Sequence, residues 1–244
     1  MVKIFPSKAE ILDFIRRSSA VEFASYIDHT ILKPNTTIDD IKRVITETKE
    51  YGFAVAVIPP WSLTLVKDYA KELNVKLCTV IGFPLGYSML NVKVLELKKA
   101  IEEGISEADI VINLNALKSG MKDYVIHEVK TLQDIARENN ITLKVIIEVG
   151  LLLESEIKEL VEDLCRIGVD YIKTSTGFIG RGVTVNDIML LRQIVKDRVK
   201  IKAAGGVRDA KFAVALILAG ASRIGTSTGV EILKGYKALR EKLA

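Results

Sequence analysis

The chain has 244 residues, 49 % of them hydrophobic and 27 % charged, with only 5 prolines and 16 glycines. That length and composition fit one large globular domain, residues 1–244, and exclude a disordered or collagen-like chain. The 35 basic residues are offset by 31 acidic ones to a net charge of +4, and the two signs interleave along helical patterns, which describes solvated faces rather than a nucleic-acid footprint.

The first element in chain order is an amphipathic stretch at 8–18. Eight β-branched runs follow, at 25–31, 53–58, 76–81, 108–113, 143–149, 171–174, 200–203 and 222–225. Each is followed by a helical pattern. The first has Ile38, Ile41, Val44, Ile45 and Thr48 at 3.6-residue spacing, with a Thr37/Asp40 capping box at its start and Gly52 at its end. The others fall at 61–73, 92–103, 124–138, 154–167, 185–195, 208–218 and 229–243. Eight consecutive βα units in about 250 residues predict an α/β fold of the (β/α)8 TIM-barrel type, because open doubly wound sheets of this size have fewer strands. The helix at 8–18 stands outside the repeat, as an extra N-terminal helix over the barrel bottom. Thr-Ser-Thr-Gly recurs at Thr174–Gly177 and Thr226–Gly229, two βα units apart, in keeping with barrel quasi-symmetry.

The longest uncharged apolar run, 212–221, is half the ~20 residues that cross a bilayer. Lys8, Glu10 and Asp13 interrupt the apolar core a secretory leader needs. A cytoplasmic protein without membrane contact is expected. Cys78 and Cys165 lack the spacing of a zinc site or a disulfide framework and read as core residues. Abundant Lys, Glu and Ile beside only Gln133 and Gln193 lean towards a heat-adapted composition.

Polar residues at the C-terminal ends of barrel strands are the candidates for chemistry. Lys173 ends the sixth strand and Lys202 lies in the seventh, both among apolar neighbours. Adjacent strands run ~4.8 Å apart, so the two amines can meet. Burial and a neighbouring cation both disfavour an ammonium, leaving a free amine able to form a Schiff base. Asp109, inside an apolar fourth strand, needs a cationic partner and can relay protons. Asp28 is a second interior acid, and Lys144 and Glu148 are a candidate supporting pair on one face of the fifth strand. Lys200, His29 and His127 read as structural, and no His, Asp and Cys grouping suggests a metal. The glycines after strand seven (Gly205, Gly206) and the Gly225–Gly229 loop offer amides, hydroxyls and helix starts to a phosphate, with Arg208 beside them. The residues alone thus point to a phosphosugar-binding barrel with imine chemistry, of aldol type. A barrel isomerase, an imine aldolase with another donor, and a nucleic-acid binder suggested by the pI of about 8.9 remain as alternatives.

Six segments resemble the deoxyribose-phosphate aldolase family along nearly the whole chain. They are Ile27-Asp28-His29-Thr30-Ile31-Leu32-Lys33-Pro34, Val80-Ile81-Gly82-Phe83-Pro84-Leu85-Gly86, Leu143-Lys144-Val145-Ile146-Ile147-Glu148, Tyr171-Ile172-Lys173-Thr174-Ser175-Thr176-Gly177-Phe178, Lys202-Ala203-Ala204-Gly205-Gly206-Val207-Arg208 and Ser222-Arg223-Ile224-Gly225-Thr226-Ser227-Thr228-Gly229. The resemblance implies that Lys173 forms the Schiff base with acetaldehyde, that Lys202 tunes it and moves protons, and that Asp109 is the acid-base partner. It implies reversible cleavage of 2-deoxyribose 5-phosphate to acetaldehyde and glyceraldehyde 3-phosphate, without metal or other cofactor. The expected substrate contacts are Asp28, Lys144, Thr174, Thr176 and Gly177, with Gly205, Gly206, Gly225, Ser227 and Thr228 towards the phosphate. Partners are then the phosphosugar and the aldehyde, with no nucleic acid, and a homo-oligomer, dimer or tetramer, is expected. The chain departs from the family pattern at Val149-Gly150, at Ala56, where many members carry Cys, and in ending at Ala244 without a C-terminal tyrosine tail.

Overall fold

The computed structural model describes residues 5–243; residues 1–4 and 244 of the expected domain lie outside the described residues. Eight parallel strands close into a barrel: β1 (Ile27–Thr30), β2 (Val55–Val57), β3 (Leu77–Ile81), β4 (Glu107–Val111), β5 (Thr142–Ile146), β6 (Tyr171–Lys173), β7 (Lys200–Ala204) and β8 (Arg223–Thr226). Each pairs with its successor, and β8 returns to β1 through Ile27↔Ile224 and Asp28↔Gly225. Closure removes every sheet edge. The chain opens with α1 (Lys8–Arg17) and α2 (Ala20–Ala24). The strands are then separated and followed by α3 (Ile38–Tyr51), α4 (Leu63–Glu72), α5 (Leu90–Glu102), α6 (Leu114–Lys118), α7 (Lys122–Glu138), α8 (Glu154–Ile167), α9 (Val185–Val195), α10 (Ala210–Ala219) and α11 (Gly229–Glu241). All eight expected βα units are present.

Period-two alternation on each strand divides the molecule into two compartments. Outward residues such as Ala108, Ile110, Val145, Ile172, Ile201 and Ile224 join the apolar stripes of the helices in one continuous core. In α8 that stripe is Ile157, Leu160, Val161, Leu164 and Cys165, and Gly168 ends the helix at φ 75°, where glycine is unstrained. On the inward face Val55, Val57, Cys78 and Val80 form a separate small apolar cluster. Elsewhere that face carries buried Asp28, Glu107, Asp109, Lys144, Lys173 and Lys202, in place of the branched aliphatic layers usual in such barrels.

The extra helix α1 stands outside the repeat, as expected, and packs chiefly on α10 and α11 of the outer ring, where the Tyr236 hydroxyl donates to the Ser18 carbonyl at 3.0 Å. Several local expectations are corrected. The helix expected from residue 61 begins as a 3-10 turn, Pro60–Ser62, because two successive prolines withhold backbone donors. The short helices α2 and α6 had no sequence expectation. Lys144 and Glu148 do not pair: β5 ends at Ile146, Glu148 takes φ 50°, and Glu148 turns to accept from the Thr176 backbone N–H at 2.9 Å and its hydroxyl at 2.6 Å.

A buried ion pair between α5 and α7 holds the end of β4 and the start of the loop after it. Lys93 Nζ lies 2.8 Å from Glu128 Oε1 and donates to the Val111 carbonyl at 2.8 Å, while Glu128 Oε2 accepts from the Asn113 N–H. Both side chains are fully buried. Gly82 makes room, since a Cβ there would lie 2.7 Å from Lys93 Cε. Removing one partner strands the other charge, so Glu128→Ala is expected to lower the unfolding free energy by about 3–5 kcal/mol. Urea unfolding measures the loss, and Lys93→Met combined with Glu128→Leu should regain most of it.

Candidate active site

One carboxylate organises the barrel interior. Asp109 Oδ2 lies 2.8 Å from Lys173 Nζ and 2.7 Å from Lys202 Nζ, and Oδ1 lies 3.0 Å from Lys144 Nζ. Strand register brings these groups together, because Asp109 is aligned with Lys144, and Lys173 with Lys202. Lys202 also reaches Asp28 Oδ2 at 2.6 Å. The Cys78 thiol donates to Asp109 Oδ1 at 3.4 Å, and burial together with that carboxylate pushes its pKa up to about 12. It is a neutral neighbour.

The three lysines differ. Burial disfavours the ammonium in all of them, but Lys202 has the carboxylates of Asp109 and Asp28 against it and is held above the ordinary lysine range. Lys144, facing Asp109 and Glu107, is held well above it. Lys173 shares one oxygen of Asp109 with Lys202, so burial prevails, aided by the Lys202 charge, and its pKa falls below the usual value. Burial alone would raise Asp109, yet the lysines around it, Lys144 first, outweigh that and hold the carboxyl well below the usual range. Lys173 is therefore the readiest of the three to give up its proton, beside two amines that hold theirs, with a carboxylate between them.

Lys173 is also the lysine of this trio that reaches the surface of a cavity of about 710 Å³ at the C-terminal end of the strands. The loops after β6, β7 and β8 form one part of its wall, with Thr176, Gly177, Gly205, Gly206, Gly225, Ser227 and Thr228, and the end of β1, the segment after it and α3 form the rest. Gly205 and Gly206 take φ 98° and 79°, open to glycine, and leave bare backbone on the wall. Gly225 serves the lysine beneath instead. A Cβ there would sit 3.1 Å from Lys202 Cε and 3.0 Å from Ala204 Cβ, so its absence clears the path of the lysine stem. Lys33 and Arg208 add positive charge to the rim, and Phe178, packed edge-on against Phe83 with centroids 5.1 Å apart, covers one side.

Three expected substrate contacts lie elsewhere. Asp28 and Lys144 are sealed beneath Lys173 by their ion pairs, and the Thr174 hydroxyl is spent on the backbone of Ala204, donating to its O at 2.9 Å and accepting from its N at 3.0 Å. His29 faces away from Asp28, as alternation requires, with Nε2 2.6 Å from Glu47; His127 is exposed on α7. Glu107 and Arg223 were missed, and Glu148 was expected to pair with Lys144 rather than with Thr176. Glu107 shares a face with Asp109 by period two, a signal lost when the strand is started one residue late. Among the described residues no three His, Cys, Asp or Glu side chains are placed to hold a metal ion, and no helix is long and apolar enough to cross a membrane.

Residues 23–235 match the DeoC/LacD family aldolase description. The deoxyribose-phosphate aldolase of Caldicellulosiruptor saccharolyticus is 46 % identical over 87 % of this chain and 97 % of its own. That of Thermococcus gammatolerans is 45 % identical over 89 % and 97 %. The structure of the Aeropyrum pernix deoxyribose phosphate aldolase, described as a unique tetramer, superimposes with a TM-score of 0.89 at 36 % identity, covering 96 % of this chain and all of the other.

The depressed Asp109 pKa carries a stability prediction. Its ionised form stabilises the fold fully above the unfolded value of about 3.9, and the contribution is lost as pH falls through the native value. Asp109→Asn is expected to cost about 3–5 kcal/mol at pH 7. The gap to the parent protein should narrow as pH drops below about 4, read from urea midpoints across that range.

Proposed function

The chain belongs to the DeoC/LacD family of aldolases, and on that premise we propose that it is a class I aldolase reversibly cleaving 2-deoxyribose 5-phosphate to acetaldehyde and glyceraldehyde 3-phosphate. The observation that carries the reading is the Asp109 carboxylate bridging Lys173 and Lys202 at 2.8 and 2.7 Å, with only Lys173 of the interior lysines opening into the cavity.

In the cleavage direction the free amine of Lys173 adds to the aldehyde carbon of the open-chain sugar, and loss of water gives a protonated Schiff base. That cation is the electron sink. Removal of the proton from the 3-hydroxyl lets the bond between carbons 2 and 3 break, releasing glyceraldehyde 3-phosphate and leaving an enamine on Lys173. Protonation of the enamine carbon and hydrolysis then free acetaldehyde and restore the amine. The Lys202 ammonium is the proton donor and Asp109 the acceptor that passes protons between the two lysines, a role its position supports. The phosphate is placed at the loops after β7 and β8, where the bare backbone of Gly205 and Gly206, the Ser227 and Thr228 hydroxyls and the start of α11 meet. Thr176 and Gly177 face the sugar. No metal or other cofactor is required by this sequence of steps.

The single closed barrel supports one catalytic domain. A cytoplasmic setting fits a phosphosugar substrate. A homo-oligomer is proposed from the tetrameric Aeropyrum pernix relative and from exposed apolar side chains such as Trp61, Leu65 and Leu153; light scattering on the purified protein is expected to give a dimer or tetramer, and a monomer at micromolar concentration would refute it.

Borohydride reduction in the presence of acetaldehyde should add an ethyl group to Lys173, located by peptide mass mapping. Lys173→Leu is expected to abolish turnover with the fold intact by circular dichroism. Full activity with Lys173 unmodified would sink the assignment, and a preference for dihydroxyacetone phosphate as donor would point to a different aldolase.

A further inference from the structure

The interior charges form a closed ring. From Asp109 the ion pairs run to Lys202 and on to Asp28 at 2.6 Å; from Asp28 Oδ1 to Arg223 Nε at 2.7 Å; and from Arg223 Nη2 to Glu107 at 2.8 Å. Glu107 Oε2 contacts Lys144 Nζ at 2.6 Å, and Lys144 returns to Asp109 at 3.0 Å. Signs alternate around the ring, three carboxylates against three cations, so the ring is neutral by itself. Lys173 hangs outside it, attached only to Asp109. A proton on Lys173 would make it a fourth cation against three anions, in an interior where an uncompensated charge is costly.

Arg223 and Glu107 begin β8 and β4, at the barrel end opposite the cavity, and neither touches it. We propose that they are positioning residues which, by completing the neutral ring, make Lys173 the surplus cation and so keep its amine unprotonated for attack on the carbonyl. This rests on the Schiff-base reading above.

Other groups around Lys173 do not supply that balance. The Cys78 thiol on β3 is neutral, and β2 presents only Val55 and Val57. Glu148, beyond β5, is a weaker electrostatic neighbour of Lys173, and burial shifts it towards its neutral form. Tyr171, at the start of β6, lies beside Arg223 rather than in the ring. The lowered pKa of Lys173, against the raised values of Lys144 and Lys202, agrees with the count.

The experiment is the pH profile of acetaldehyde labelling of Lys173 under borohydride or cyanoborohydride, quantified by mass. Arg223→Met removes a ring cation, and the surplus proton returns to Lys173. The labelling midpoint is expected to move up by about one pH unit, with roughly tenfold slower labelling on the acid limb, recovered at high pH. Glu107→Gln removes an anion, and its midpoint should move down. Arg223→Lys and the double variant Arg223→Met/Glu107→Gln keep the ring balance and should retain the parent midpoint. Should Arg223→Met fail to fold, the isosteric Glu107→Gln still decides. Midpoints that stay put, or that move the same way in both single variants, overturn the proposal, since a merely structural role lowers labelling at every pH. Absence of labelling in the parent protein overturns the Schiff-base reading itself and this one with it.

Discussion

The Asp109 carboxylate is the constraint around which the interior is arranged. This one buried carboxylate lies within 3.0 Å of three lysine amines, and each amine must either have its charge compensated or remain neutral. Lys202 and Lys144 have second carboxylates; Lys173 has none. The same electrostatic requirement therefore stabilises the interior and sets Lys173 apart from Lys144 and Lys202. The difference among three chemically identical side chains arises from the number of anions each one meets.

That arrangement demands a scaffold with little play. Ion pairs near 2.7 Å lose their value quickly if a strand slips, and a slip of one residue would exchange the interior for the helix-facing core. Closure of the sheet fixes register all round, and the apolar layer between strands and helices makes the alternative register prohibitively polar. The glycines follow from the same crowding. Gly225 is small because the Lys202 stem passes beside it, and Gly82 because Lys93 does. The Lys93 and Glu128 pair repeats the principle outside the barrel, fastening the end of β4 and the loop after it through the backbone of Val111 and Asn113.

The periodic part of this structure was legible from the chain. Eight runs of β-branched residues alternating with helical stripes give eight βα units, and Thr37 with Asp40 and Gly52 mark the ends of α3 as capping rules require. Polar residues inside apolar strands, Lys173, Lys202 and Asp109, stood out for the same reason. What escaped, or was given the wrong partner, lay at strand ends, where the period runs out and a shift of one residue in the strand's bounds loses the signal. Glu107 and Arg223 open their strands, and Glu148 follows one in a left-handed conformation that no alternation pattern anticipates. Asp28, Lys144 and Thr174 were recognised as interior or site residues but expected to meet substrate; their partners, supplied by other strands, seal them below the cavity.

The sequence by itself determined the number and order of the βα units, the shared interior face of Asp109, Lys173 and Lys202, and the pair of lysines on neighbouring strands, because these follow from local period and from a strand spacing common to all sheets. Only the tertiary structure decided which acid meets which base. Asp109 and Lys202 are 93 positions apart, and Asp28 and Arg223 are 195 apart. Their contacts exist because the barrel closes and sets the register across non-adjacent strands, and the charge state of Lys173 depends on that whole ring rather than on its own neighbours in the chain.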